Sequence, residues 1–208
     1  FQDPYLSLNP AMTVGQILSE PLAVHRIGTR REREARVREL LEDVGLDAAL
    51  MGRRPAQLSG GQQQRLVVAR ALALRPRLLI ADEPVSALDA SVQAQILNLL
   101  SDIRRRFGLT LILISHSLAV VHYLCSRIAV LYLGRLVEVS TAEEFFRAPR
   151  HPYSQALARS TLALAAPGAC QEEAARGEGG SSARPPAGCR FHPRCPSALA
   201  HCRSEIPE

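Results

Sequence analysis

Apolar positions recur at helical spacing through about position 75, then change to short apolar runs set between helices. Phe1–Pro10 is polar and turn-rich, with Asp3-Pro4 and Asn9-Pro10 as breakers. Thr13 predicts the N-cap of a short helix running to about Ala23. Arg30–Val44 predicts an amphipathic helix with Val37, Leu40, Leu41 and Val44 on one face. Its other face pairs Arg30 with Glu34, Glu32 with Arg36 and Glu34 with Arg38, each pair adding only about a few tenths of a kcal/mol. Gly45 ends that helix and Pro55 restarts the chain. A further helix is expected over Gly61–Leu74, with Pro76 beyond it.

After Pro76 the run Arg77–Ala81 reads as a buried parallel strand. Ser91–Phe107 repeats Val92, Ile96, Leu99, Leu100 and Ile103 at helical spacing, and Gly108 stops it. Leu109–Ile114 is a second apolar strand and Leu118–Leu124 a helix. Arg127–Leu133 and Arg135–Val139 predict a hairpin about Gly134, followed by helices at Ala142–Arg147 and Tyr153–Ala165. The pattern predicts an α/β layered architecture preceded by a mostly helical segment. Pro167–Gly188, rich in Gly, Ala, Ser, Pro and Glu, reads as a linker, and Cys189–Cys202 as a compact Cys/His/Pro-rich tail. The expected divisions are 1–75, 76–150 and 151–208, with the linker at 167–188.

The 208 residues carry a net charge of +5, and all 25 basic residues are arginine. A phosphate-cradling P-loop ends in Gly-Lys-Ser/Thr, so a chain without lysine holds none. The arginines are scattered and partly paired with glutamates, and aromatics make up 4%, which argues against nucleic acid as a partner. Hydrophobic residues make up 47%, ample for a core, yet no apolar run approaches the roughly 18 residues of a membrane span. No signal peptide is visible, which favours the cytosol and disfavours disulfides there. The start at Phe1 reads as that of a fragment or a trimmed chain. Cys125, alone in an apolar segment, is expected to be a buried core thiol.

Ser59-Gly60-Gly61 opens a helix. Ser59 is a good N-cap whose hydroxyl can also donate to a phosphate oxygen. The two glycines let a ligand approach backbone N–H groups at the positive helix end. An ordinary capped helix gives the same three residues. Asp82 ends an apolar strand, where a carboxylate can reach a magnesium shell, and Glu83 follows, directed toward an attacking water. Taken alone, that pair reads as a surface turn. Asp89 or Ser91 can cap the next helix. His116 follows the second strand, where an imidazole can donate while its other nitrogen is oriented by a neighbour.

The strings Leu58-Ser59-Gly60-Gly61-Gln62-Gln63-Gln64-Arg65 and Leu78-Leu79-Ile80-Ala81-Asp82-Glu83-Pro84 together closely resemble an ABC-type ATPase. The resemblance implies a partial P-loop-NTPase-like nucleotide-binding domain with a helical signature subdomain and a Cys-rich C-terminal extension. It makes Leu58–Gln62 the signature motif, which contacts ATP through Ser59, Gly60, Gly61 and Gln62. It makes Leu78–Asp82 the Walker B strand with Asp82 toward Mg2+, and Glu83 the catalytic base. Ser86–Asp89 becomes the D-loop at a dimer interface, His116 the switch histidine and Gln2 the Q-loop glutamine. Relatives commonly carry Asp after this histidine, where this chain has Ser117. Phe1-Gln2-Asp3-Pro4-Tyr5-Leu6-Ser7-Leu8-Asn9-Pro10, Tyr132–Glu138 and His151-Pro152-Tyr153 resemble the oligopeptide/dipeptide permease ATP-binding subunits, especially the second, F-type one.

In the tail, Cys189, Cys195 and Cys202 with Cys170, His192 or His201 could complete four ligands for an iron–sulfur cluster or zinc, or pack reduced without metal. The resemblance implies an ATPase subunit peripheral to the cytoplasmic face of the membrane that energises import of peptides or related solutes. Its partners would be a second ATP-binding subunit, integral membrane permease subunits and, indirectly, a periplasmic or extracellular solute-binding protein. It implies a P-loop upstream of Phe1, inactivity of this stretch alone, and core surface left exposed. A non-transport ABC ATPase and a non-catalytic, metal-holding or interaction fragment are the competing readings.

Overall fold

The computed structural model describes residues 7–86, 88–165 and 185–206. It divides into two compact units that meet in sequence between His116 and Ser117. In the first, α1 (Val14–Val24), α2 (Arg30–Asp43) and α3 (Gly60–Leu72) pack on one another. Thr13 and Thr29 each form a capping box with a Gln or Glu three residues on, satisfying N–H groups that a helix start leaves open. Val14, Ile17, Leu18, Val37, Leu40, Leu41 and Leu66 are fully buried where the three helices meet. Each such side chain is worth about 1.5–3 kcal/mol. The Arg38–Glu34 pair on the outer face of α2 is exposed at both ends and is worth well under half of that. Burial therefore fixes which way α2 faces.

Two parallel strands follow, β1 (Leu78–Asp82) and β2 (Thr110–Ile114), joined by α4 (Ala90–Phe107). Their register runs from Leu78 opposite Thr110 to Asp82 opposite Ile114, which brings both C-terminal ends to one edge. Gly108 ends α4 at φ 62°, a left-handed conformation that glycine adopts freely. The expectation that these strands are buried on both faces is not met. Leu78, Ile80, Ile112 and Ile114 are about half exposed. Side chains alternate across a strand, and among the described residues the Leu79/Ala81 face is the more buried one while the other is exposed.

The second unit holds α5 (Leu118–Leu124), the antiparallel hairpin β3 (Arg127–Tyr132) and β4 (Arg135–Thr141), α6 (Ala142–Arg147) and α7 (Pro152–Ala165). Leu133 and Gly134, at φ 46° and 75°, make the two-residue turn, as a hairpin with its right-handed twist requires. Ile128, Val130, Phe145 and Ala158 form its core. Cys125 is only partly buried, against the expectation of a core thiol. Residues 167–184 of the expected linker lie outside the described residues. The chain resumes in two single-turn 3-10 helices, His192–Arg194 and Ala200–Arg203.

Candidate functional site

The start of α3 is built from a reciprocal cap. The Ser59 hydroxyl accepts the Gln62 N–H at 3.3 Å, and Gln62 Oε1 accepts the Ser59 N–H at 2.9 Å. The Gln63 N–H is taken by the Ser59 carbonyl. Among the described residues, the N–H groups of Gly60 and Gly61 are left without an acceptor at the positive end of the helix. Gln62 therefore acts here through the cap. The glycines also differ in use. A Cβ on Gly61 would lie 2.9 Å from Val92 Cγ1, whereas one on Gly60 would meet only Leu88 Cδ2 at 3.8 Å. The bare backbone at Gly61 is thus required for close approach of α4, and not only for a ligand as expected from the sequence.

Glu83 follows β1 with φ 47°, a left-handed conformation that costs a bulky residue on the order of 1–3 kcal/mol. Several bonds hold it there. Its N–H donates to the Ile114 carbonyl at 2.9 Å, and the Ser86 hydroxyl donates to its carbonyl at 3.1 Å. The side chain is mostly buried, and its Oε1 accepts both the His116 backbone N–H at 3.1 Å and His116 Nδ1 at 2.7 Å. The parallel register of β1 and β2 is what makes this meeting possible across 33 residues of sequence. Toward a carboxylate, Nδ1 acts as the donor, so Nε2 can donate only when the ring carries both protons. His116 is exposed, and its other ring edge faces outward. Glu83 is therefore not directed only toward a water, as the sequence reading had it. One oxygen is tied to His116, and Oε2 has no partner among the described residues.

Asp82 is half-buried at the end of β1, and its carboxylate has no partner among the described residues. Asp89 caps α4, accepting the Val92 N–H at 3.0 Å and the Ser91 hydroxyl at 2.7 Å. The Ser91 and Val92 bonds hold its carboxyl below the usual aspartate value. Gln2 and Cys170 lie outside the described residues.

The tail cysteines are not gathered. Among the described residues no three His, Cys, Asp or Glu side chains come together as a metal set, so Cys189, Cys195 and Cys202 form no ligand cluster. What organises this stretch is packing. Phe191 lies against Tyr132, Tyr153 and His151, and the Cys189 N–H donates to the Cys202 carbonyl at 2.9 Å. Gly188 allows that approach, since a Cβ there would sit 2.6 Å from the Cys202 oxygen.

Sequence reasoning missed Gln63 and Gln64. Both are buried; Gln63 Nε2 donates to the Pro55 carbonyl at 2.9 Å and Gln64 Nε2 to the Pro84 carbonyl at 2.7 Å. The signal was helical spacing from buried apolar residues, Gln63 three before Leu66 and Gln64 four before Val68, where a polar residue must find a partner. It also missed Glu138, which is buried in the second unit and accepts the N–H groups of Arg150 and His151 at 3.1 and 2.8 Å.

Residues 1–86 match the family model described as ABC transporter, and residues 137–202 the one described as oligopeptide/dipeptide transporter, C-terminal region. A Sinorhizobium fredii protein, named as a probable peptide ABC transporter ATP-binding protein, is 51% identical over 207 residues, covering 100% of this chain and 59% of its own length. The Bacillus subtilis oligopeptide transport ATP-binding protein AppF is 48% identical over 210 residues, covering 100% of this chain and 64% of its own. The chain thus spans about three-fifths of the length of the curated relatives it matches. Among solved structures, the dimeric post-hydrolysis ATP-binding cassette MJ0796 bound to ADP and Pi aligns with a TM-score of 0.59 and 33% identity over 68% of this chain and 61% of that one. With its capped Ser-Gly-Gly helix and its Glu83–His116 pair joined across parallel strands, the chain belongs to the ABC transporter ATP-binding family, and it carries the C-terminal region of the oligopeptide/dipeptide branch.

Proposed function

We propose that this chain forms part of an ATP-hydrolysing subunit that energises import of peptides or related solutes across the cytoplasmic membrane. The observation that carries the reading is Glu83, held at one oxygen by His116 and unengaged at the other, at the C-terminal end of β1. Ligands of open parallel sheets bind beyond the carboxyl ends of the strands.

The residues fit ATP and Mg2+. The open amides of Gly60 and Gly61, with the Ser59 hydroxyl proton, suit a phosphate, and the unpartnered Asp82 carboxylate suits a hard cation. MgATP supplies the phosphoryl group to be transferred and the charge that neutralises it. Glu83 takes the proton of an attacking water at Oε2 while His116 holds Oε1 in place. His116, oriented by the same bond, donates from Nε2 to phosphate oxygens in its doubly protonated form. Asp89, with its side chain committed to the α4 cap, offers its backbone to a neighbouring subunit. The Ser59 helix start, with its open amides, would complete a nucleotide site whose other half a second subunit holds.

The partners on this reading are a second ATP-binding subunit, membrane permease subunits and an external solute-binding protein, with the subunit peripheral to the membrane. Among the described residues no helix is long and apolar enough to cross a membrane. The match of residues 137–202 to the oligopeptide/dipeptide region favours peptides over the non-transport alternative. ATP turnover by the intact transporter, with and without peptide-loaded binding protein, is the test. Stimulation by short peptides is expected; turnover indifferent to them contradicts the substrate class.

A further inference from the structure

The Gln64 side chain fastens the Glu83 turn to α3. Pro84 has no N–H to give, and its carbonyl accepts only Gln64 Nε2 among the described residues, at 2.7 Å across 20 residues of sequence. Gln64 and Pro84 are both buried, so that carbonyl has no access to water should the donor be lost. One residue before it, the Glu83 carbonyl is taken by the Ser86 hydroxyl. One turn earlier on α3, Gly61 abuts Val92 just past the same segment, and Arg65 Nη2 reaches Gln95 at 3.4 Å. The start of α3 and the turn that holds Glu83 at φ 47° therefore cannot shift independently.

We infer that Gln64 is a positioning residue that couples the anion-binding start of α3 to the carboxylate of Glu83 in the same chain. Gln64 touches no reacting atom; it acts by holding the peptide next to Glu83. Movement of α3, when its Ser59-Gly60-Gly61 end engages a phosphate, is carried through this bond to the setting of Glu83. The inference rests on the proposed role of Glu83.

Gln64→Met keeps the side-chain length and removes the donor. Gln64→Glu restores a donor only when its carboxyl is protonated. Two readouts are needed: amide hydrogen exchange on the nucleotide-free chain, and steady-state ATP kinetics of the intact protein. Gln64→Met should speed exchange at Ser86 and Leu88 about tenfold while leaving Leu66–Leu72 within about twofold. It should lower kcat about tenfold with KM for ATP nearly unchanged. Gln64→Glu should regain part of the lost rate as pH falls, relative to Gln64→Met. Unchanged exchange at Ser86 and Leu88, or an equal rise along all of α3, would overturn the coupling, the latter by making Gln64 a general packing residue. Faster exchange confined to the turn with unchanged kcat would keep the bond but overturn Glu83 as the group it positions. Full turnover by Glu83→Gln would overturn the parent reading independently of exchange.

Discussion

Glu83 and Gly61 have different claims on their positions. Glu83 occupies an unfavourable backbone region because the neighbours of its turn over-determine it. Gly61 is fixed by a contact, since α4 comes too near for any side chain. Gly61→Ala should destabilise the first unit by about 1–3 kcal/mol, as overpacking does. Thermal unfolding of Gly60→Ala beside it checks the origin of the effect, because only Gly61 faces Val92 at under 3 Å. Equal losses at the two positions would point to helix-start geometry instead. Ser59, Asp82, Glu83 and His116 were legible in the sequence through the family resemblance of the strings around them, since alone Ser59 reads as an ordinary cap and Asp82-Glu83 as a surface turn. The Glu83–His116 bond was not, because it depends on the register of two strands. Gln64 was not, because an isolated glutamine reads as a surface residue until its burial is seen.

At the scale of elements, helix ends came within about two residues of the structure because caps and glycines mark them, as Thr13, Ser59 and Gly108 do. Strand burial did not follow from apolarity, since what covers a face is set by the rest of the fold. The second unit supplies an element-scale prediction at the joint between β4 and α7. Burial pushes the Glu138 carboxyl up, but the Ser154 hydroxyl and the His151 and Arg150 N–H groups outweigh it and hold it below 4.5. Burial also lowers His151 below 6.5 against the opposing pull of Glu138, and its Nδ1 accepts the Tyr153 N–H at 3.0 Å. Both groups fold in their unprotonated forms. The His151 contribution is therefore whole above 6.5 and is lost as pH falls through its folded value. That of Glu138 is whole above 4.5 and is lost on further acidification. Protection of the Tyr153 amide from hydrogen exchange should fall between about pH 7 and 5. His151→Asn, whose side-chain oxygen can accept the same N–H without titrating, should remove the fall. Protection independent of pH over that range would contradict the arrangement.

For the whole molecule, the decisive feature is a phosphate-suited helix start. The Gly60 and Gly61 amides and the Ser59 hydroxyl are open to an anion among the described residues. The account predicts a site completed between two subunits, with Ser59 of one closing over nucleotide held by the other. On the proposed role of Glu83, Glu83→Gln should slow hydrolysis without touching that closure, so MgATP should hold the variant as a dimer. Ser59→Asp is the matched control, because aspartate caps a helix as well as serine but sets a negative charge where the phosphate would bind. The most direct measurement is the mass in solution of the intact Glu83→Gln protein, with and without MgATP. The account predicts that it doubles with MgATP and that adding Ser59→Asp abolishes the doubling. A mass unchanged by MgATP, or doubling that survives Ser59→Asp, would contradict it.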